Sequence, residues 1–230
     1  LGTENSVFVS FNDGMTWLPL QGDLPHAPAY WLTVQTHFND LVVGTYGRGF
    51  WILDDITPLQ QLTDEVVASE VHLFEPRAAY RFLPREGRNS QPGDPAAGEN
   101  PTFGASINFY LGEGTGGRAQ VMITTESGEQ VRTLSTAASS GLNRLVWDLR
   151  YESSSTPRLR TRPLEHSHRE LDSSGWRPPP DGSTVRPLAV PGLYRVTLAL
   201  EGHEEQSAWL EVLQDPESDA SASDMEAQLD

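Results

Sequence analysis

The sequence predicts an all-β protein. Short runs of apolar residues alternate with polar ones at period 2, the pattern of half-buried strands. Clusters of Gly, Asn, Asp and Pro separate those runs. With 20 Gly and 17 Pro in 230 residues and a mean hydropathy of −0.44, turns must take much of the length.

Residues 1–62 are dense in strand signals and have no helical periodicity. Val7, Val9 and Phe11 alternate with Phe8 and Ser10. Asn12-Asp13-Gly14 then turns the chain into a returning strand from Met15 to Leu20. A loop containing Gly22-Asp23-Leu24-Pro25 leads to three more strands: Tyr30 to Thr36, Leu41 to Tyr46, and Phe50 to Leu53. Asn39-Asp40 and Gly47-Arg48-Gly49 supply the turns between them. Residues 63–103 read differently, as a linker with one strand near 71–75, because Pro84 to Pro101 is rich in Gly, Pro and charge.

From Gly104 the strand signals resume. Ile107, Phe109 and Leu111 share a face, as do Val121 and Ile123, and Val131 to Leu134 follows after a Ser127-Gly128 turn. Leu145, Trp147 and Leu149 line one face of the next strand, with Arg144, Val146 and Asp148 on the other. Tyr194, Val196, Leu198 and Leu200, then Ala208, Leu210 and Val212, complete the set. With the strand at Val71, about seven strands are expected, the count of an immunoglobulin-like β-sandwich. The segment 104–213 is therefore such a sandwich, carrying a polar, Pro-rich insertion near 152–189 that is expected to be disordered. In the acidic tail, 214–230, Ser223 and Glu226 have the spacing of a capping box and predict a helix start. The chain is expected to be a fragment cut at both ends.

Composition excludes several functions. A net charge of −16 and a pI near 4.6 leave no broad basic surface, so no nucleic-acid partner is expected. No apolar run approaches the ~20 residues of a membrane helix, so no membrane span is expected. All basic residues are Arg, and Cys is absent, which removes disulfides, thiolate metal sites and cysteine nucleophiles.

The most specific local motif is Ser10-Phe11-Asn12-Asp13-Gly14-Met15-Thr16-Trp17. Asn12 can bond backbone N–H groups across the turn, Gly14 can take a positive φ, and Trp17 can bury its ring against a neighbouring sheet. The motif resembles the Asp-box, or BNR repeat, of sialidase-like β-propellers (Ser-x-Asp-x-Gly-x-Thr-Trp), with Asn12 in place of the Asp. The stretch from Asp40 to Asp55 is similar to the closing blade of bacterial BNR-repeat propellers grouped with the sortilin and xyloglucanase types. Leu73-Phe74-Glu75-Pro76-Arg77, Gly98-Glu99-Asn100-Pro101, Asn143 to Arg150 and Val190-Pro191-Gly192-Leu193-Tyr194 fit the same proteins. The last two also resemble the Ig-like module of flagellar hook-capping proteins.

The resemblance implies an all-β chain in which the terminal blades of a β-propeller (1–62) precede an immunoglobulin-like β-sandwich. It implies that the two strands flanking the Asp-box are the outer half of one blade and the next three are the inner strands of the last. These proteins are labelled glycosyl hydrolase-like by analogy, so no defined activity comes with the likeness. The Asp-box residues Ser10, Asn12, Gly14, Thr16 and Trp17 are a structural staple.

No catalytic, cofactor-binding or metal-binding residue is assigned, and no cofactor is expected. Arg48 beside Tyr46 cannot reproduce a sialidase arginine cluster and reads as a turn residue. Asp54 and Asp55 are adjacent, and on a strand would point to opposite faces, unlike a glycosidase carboxylate pair. His166-Ser167-His168, between Glu165 and Glu170, reads as solvated, and so does the Arg158, Arg160, Arg162 and Arg169 run. Gly112 to Gly117 reads as a flexible hairpin.

The expected function is structural support, domain docking or ligand presentation within a larger, exported protein (periplasmic, cell-surface or secreted). Its partners would be upstream blades of the same protein and a carbohydrate or protein ligand. The alternatives are part of a sialidase- or xyloglucanase-like glycoside hydrolase with its catalytic residues on upstream blades, and a sortilin-like peptide- or protein-binding propeller.

Overall fold

The computed structural model describes residues 1–82, 98, 100–160, 164, 167–177, 179 and 184–229. Strands hold 41% of the described residues and helices 7%, so the protein is all-β. Among the described residues no helix is long and apolar enough to cross a membrane.

The strands of the first part are β1 (Phe8–Val9), β2 (Leu18–Pro19), β3 (Ala29–Gln35), β4 (Asp40–Thr45) and β5 (Phe50–Leu53). β1 and β2 shrink to one antiparallel pair, much shorter than the runs expected around the Asn12 turn. β3, β4 and β5 form an antiparallel sheet in sequence order, joined by tight turns. Register puts Leu32, Val43 and Trp51 in one row and Trp31, Gly44 and Phe50 in the next, so these rows face opposite ways. The first row packs on Val7, Leu20 and Leu24 to make a small core. One helical turn, α1 (Thr57–Gln60), closes this part where none was expected, with Pro58 in its first turn.

The segment expected to be a linker carries α2 (Asp64–Val67), β6 (Val71–Leu73) and β7 (Ala79–Arg81). Thr63 caps α2 by accepting from the Val66 N–H. The remaining strands are β8 (Ala105–Leu111), β9 (Gly117–Thr125), β10 (Gln130–Ala138), β11 (Gly141–Trp147), β12 (Gly192–Leu200) and β13 (Gln206–Gln214). They make a five-stranded sheet, β10-β9-β12-β13-β7, and a three-stranded sheet, β11-β8-β6. β7 is the strand that period-2 reading missed: it is three residues long and runs parallel to β13. Gly112 to Gly117 is not a hairpin, because β8 and β9 lie in different sheets.

The inward residues of both sheets share one core. Ile107, Phe109 and Leu111 from β8 and Trp147 from β11 meet Val121, Ile123, Val196, Leu198 and Leu210 of the larger sheet, all essentially inaccessible to solvent. At its centre the Trp147 ring meets the Tyr194 ring edge-on, centroids 5.3 Å apart. Both polar tips are satisfied: Trp147 Nε1 donates to the Arg150 carbonyl at 2.9 Å and the Tyr194 hydroxyl to the Val190 carbonyl at 2.7 Å. Gly104 fits here for lack of a side chain, since a Cβ would lie 2.1 Å from the Trp147 carbonyl oxygen. The Gln206 amide ties the sheets along one edge, donating to the Val71 carbonyl and accepting from the Leu73 N–H, each at 2.8 Å.

The described part of the 152–189 insertion is folded back on itself. Leu159 and Arg177 bridge, Arg160 and Arg158 lie 4.0 and 5.2 Å from the Trp176 ring centroid, and Leu188 and Ala189 belong to the core. The tail helix α3 (Ala222–Glu226) has its capping box at Ser221 and Asp224, two residues before the expected Ser223. Met225 anchors it by full burial.

Trp147→Ala should lower stability by about 3–5 kcal/mol, as other large-to-small core changes do. Trp209, 46% exposed on the outer face of β13, should cost no more than about 1 kcal/mol when cut to Ala. Urea denaturation of the two variants checks the contrast, and equal losses would contradict the core assignment.

Candidate functional site

Three features of the first part bear on function: the Asn12 turn, the bare face of the β3–β5 sheet, and the junction between that sheet and the body. The turn satisfies its own backbone. Ser10 Oγ accepts from the Gly14 N–H at 2.8 Å, and Asn12 Oδ1 accepts from the Thr16 N–H at 2.9 Å. Asn12 Nδ2 donates to Thr16 Oγ1 at 2.8 Å, a bond that an Asp carboxylate could not donate. Gly14 takes φ +85°, and a Cβ there would come within 3.4 Å of the Trp17 ring. Trp17, expected to be buried, instead lies over Gly14 and remains 45% exposed. Arg48 sits in the β4–β5 turn, where its carbonyl accepts from Trp51 Nε1 at 3.0 Å.

The face of the β3–β5 sheet opposite its small core is apolar and bare. Trp31 is 72% exposed, Phe50 82% and Ile52 60%. Trp31 and Phe50 flank Gly44, where a Cβ would meet the Trp31 Cβ at 3.3 Å and the Phe50 ring at 3.6 Å. Tyr30 and Tyr46, also exposed, pair at 5.6 Å nearby.

Asp54 and Asp55 are not on a strand, because β5 ends at Leu53. Asp55 takes φ +54°, a left-handed conformation that Asp tolerates better than most residues. Its carboxylate turns into the body and is only 2% exposed. Asn108 Nδ2 donates to it at 2.9 Å, and the Arg77 and Arg144 guanidiniums lie 3.6 and 4.0 Å away. Arg144 also donates to the carbonyls of Asp54 and Asp55, at 3.1 and 2.9 Å, and through Nε to Asn108 Oδ1 at 2.8 Å. The Asp55 N–H donates to Asp40 Oδ1 at 2.8 Å. The carboxylate's charge is thus matched on every side.

Beside this node a cleft of about 590 Å³ opens between the sheet and the body. Asp40, Asp54, Arg77 and Arg144 line one part of it, and Phe38, Tyr80, Phe82 and Phe103 another. Tyr80 and Phe82, two residues apart and so on one face of the β7 segment, stack at 5.3 Å with their planes 16° apart. Arg77 lies 5.3 Å from the Phe38 ring centroid. Burial, and secondarily the Asp40 charge, raise the Asp54 carboxyl above the ordinary carboxylate range, while Arg144 and Arg77 pull it down.

Composition and motif spacing did not single out this cleft. The one local signal was Arg144 on the strand face opposite Trp147. Of the candidate metal ligands, His166 and Glu165 lie outside the described residues, as does Arg162 of the basic run. No protein-family model, curated protein or solved structure matches this chain.

A carboxyl raised by folding holds its proton where the unfolded chain has lost it. Its stabilising effect is therefore present below the unfolded value of 3.8 and is lost as pH rises through the folded one. Asp54→Asn should raise the melting temperature at pH 7 and leave it unchanged at pH 3. A variant that melts lower at pH 7 would mean that the carboxylate gains more from Arg77 and Arg144 than burial takes away.

Proposed function

We propose that this chain serves as the closing part of a BNR-type β-propeller joined to an immunoglobulin-like module, acting as a structural and docking element rather than a catalyst. The bare apolar face of Trp31, Phe50 and Ile52 carries this reading. A contiguous exposed apolar patch marks an interaction surface, and here its opposite side already packs on the β1–β2 segment. A blade inside a propeller ring is covered in this way on both faces. The natural occupant of the bare face is the neighbouring blade of the same protein.

Two further observations support the reading. The Asn12 turn uses its Ser, Asn, Gly and Thr in the way the Asp-box pattern requires. In the body, the Tyr194 hydroxyl returns to the backbone four residues upstream, as in the tyrosine corner of immunoglobulin-like sandwiches. The contact between Trp147 and Tyr194 also gives a physical reason for the Trp-Asp and Pro-Gly-x-Tyr stretches to occur together. If the intact protein is a glycoside hydrolase or a sortilin-like binder, this chain's own part is unchanged: it closes and braces the ring. Export of the intact protein fits that role.

Trp31 reports on the bare face. In 5-fluorotryptophan-labelled protein, its ¹⁹F resonance, assigned with Trp31→Phe, should respond to a soluble paramagnetic agent in the 230-residue chain. It should be shielded in a longer form of the protein that carries upstream blades. Equal accessibility in both forms would sink the docking role of this face.

A further inference from the structure

β10 ends the five-stranded sheet of the body, and one residue of the insertion stands beside it in the manner of a neighbouring strand. The Glu152 N–H donates to the Val131 carbonyl at 2.9 Å, and Glu152 Oε1 accepts from the Thr133 N–H at 2.9 Å. A donor and an acceptor so placed imitate a paired strand. Arg132 holds the carboxylate there, with Nη1 3.3 Å from Oε2. Beyond Thr133 the imitation stops. The Thr133 N–H points away from β9, so by alternation the backbone groups of Ser135 and Ala137 do too. Among the described residues nothing bonds the Thr133 carbonyl, either backbone group of Ser135 or the Ala137 N–H. The Ala137 carbonyl accepts from the Thr136 hydroxyl at 3.2 Å, which leaves it a second lone pair. A depression of about 300 Å³ runs along Ser135 to Ala137 and is otherwise lined by Gly117 and Arg118 of β9, so no described element covers this edge.

We propose that Glu152 is a guard, and that the edge it closes fits the same edge of a second copy of this chain. An uncovered edge strand is a template for another strand, and here the open groups are arranged symmetrically about Ser135. In an antiparallel two-fold pairing Ser135 meets Ser135 of the second copy, and Thr133 meets Ala137. Each pair would exchange two backbone bonds. Glu152 prevents this at Thr133: it occupies the N–H, and its carboxylate stands where Ala137 of the second copy would lie. Side chains do not oppose the pairing. Thr133 with Ala137, Leu134 with Thr136, and Ser135 with itself bring neither like charges nor two bulky groups face to face. No Pro interrupts β10, and its bulge lies before this stretch, between Gln130 and Arg132. The Glu152 carboxylate is therefore what keeps two copies apart. Site and guard both lie in the body, so the inference is independent of the propeller reading.

Light scattering and amide exchange on the 230-residue chain test it. At about 0.15 M salt, repulsion between copies of net charge −16 is screened beyond about 8 Å. The Ala137 amide reads this edge and not the Trp31 face. In the parent chain it should exchange fast at every concentration. Glu152→Ala should pair with a Kd below about 1 mM, its mass rising toward twice the 25.4 kDa of one chain. Its Ala137 amide should then slow by about tenfold or more as concentration rises. Adding Ser135→Pro removes an outward N–H at an edge position where Pro is tolerated, and should abolish both changes. Thermal melts establish that the variants fold; Glu152→Ser, also too short to reach the Thr133 N–H, repeats the test if Glu152→Ala does not. An Ala137 amide already slow in the parent, one that stays fast when Glu152 is cut back, or pairing that survives Ser135→Pro would overturn the inference.

Discussion

A buried carboxylate joins the two halves of this chain, beside the packing of His37 and Phe38 on Tyr80. Asp55 follows the last strand of the small sheet, yet its side chain ends among residues of the body: Arg77 ahead of β7, Asn108 on β8 and Arg144 on β11. A charge removed from water is strongly unfavourable unless it is paired and hydrogen-bonded. The node therefore tolerates little displacement, because moving the sheet away strands a carboxylate on one side and two guanidiniums and an amide on the other. Asp40 extends the constraint into β4 by holding the Asp55 N–H. Asn39 fastens the same corner to α1, donating to Thr57 Oγ1 at 2.9 Å and to Gln60 Oε1 at 2.8 Å.

The consequences divide between neighbouring residues. Asp55 is fully engaged, whereas Asp54, one residue earlier, faces the cleft with its carboxyl unpaired among the described residues and its proton held more tightly than usual. The node brings β4 and the residues after β5 up to the outer face of β11 and β8, and the cleft is the space left between them. Asp40, which lines the cleft, shares its face of β4 with Val42 and Gly44, so the cleft opens at the edge of the same sheet face that exposes Trp31, Phe50 and Ile52. The body supplies the rigid reference for both, through a core centred on Trp147 and Tyr194.

Most strands were legible because each long run of alternating residues has one face in a core. Ile107, Phe109 and Leu111 announce β8, and Tyr194 to Leu200 announces β12, without knowledge of their partners. The misses share a different cause. On β8 alternation fails at Asn108, an outward position only 4% exposed, because Asp55 covers it from 53 positions away in sequence. Asp55 has one local turn bond, its Oδ1 accepting from the Thr57 N–H at 3.3 Å, but the partners that draw its carboxylate into the body, Asn108, Arg77 and Arg144, are distant in sequence. β7 is too short for a periodic signal, and α1 and α2 are single turns fixed by Pro58 and the Thr63 cap. The Asp-box turn was readable to the level of its hydrogen bonds because all its partners lie within a few residues. The position of Trp17 depends on what lies beyond the turn and was not readable.

Native-state hydrogen exchange on Asp55→Ala tests the role of the node most directly. The substitution leaves Arg77, Arg144 and Asn108 without their shared partner, a change expected to cost about 3–5 kcal/mol at the junction. Amides of β4 and β5 should lose protection by several orders of magnitude, while those of β9 and β12 in the body keep theirs. If β4 and β5 remain as protected as in the parent chain, the carboxylate is not what holds the sheet to the body.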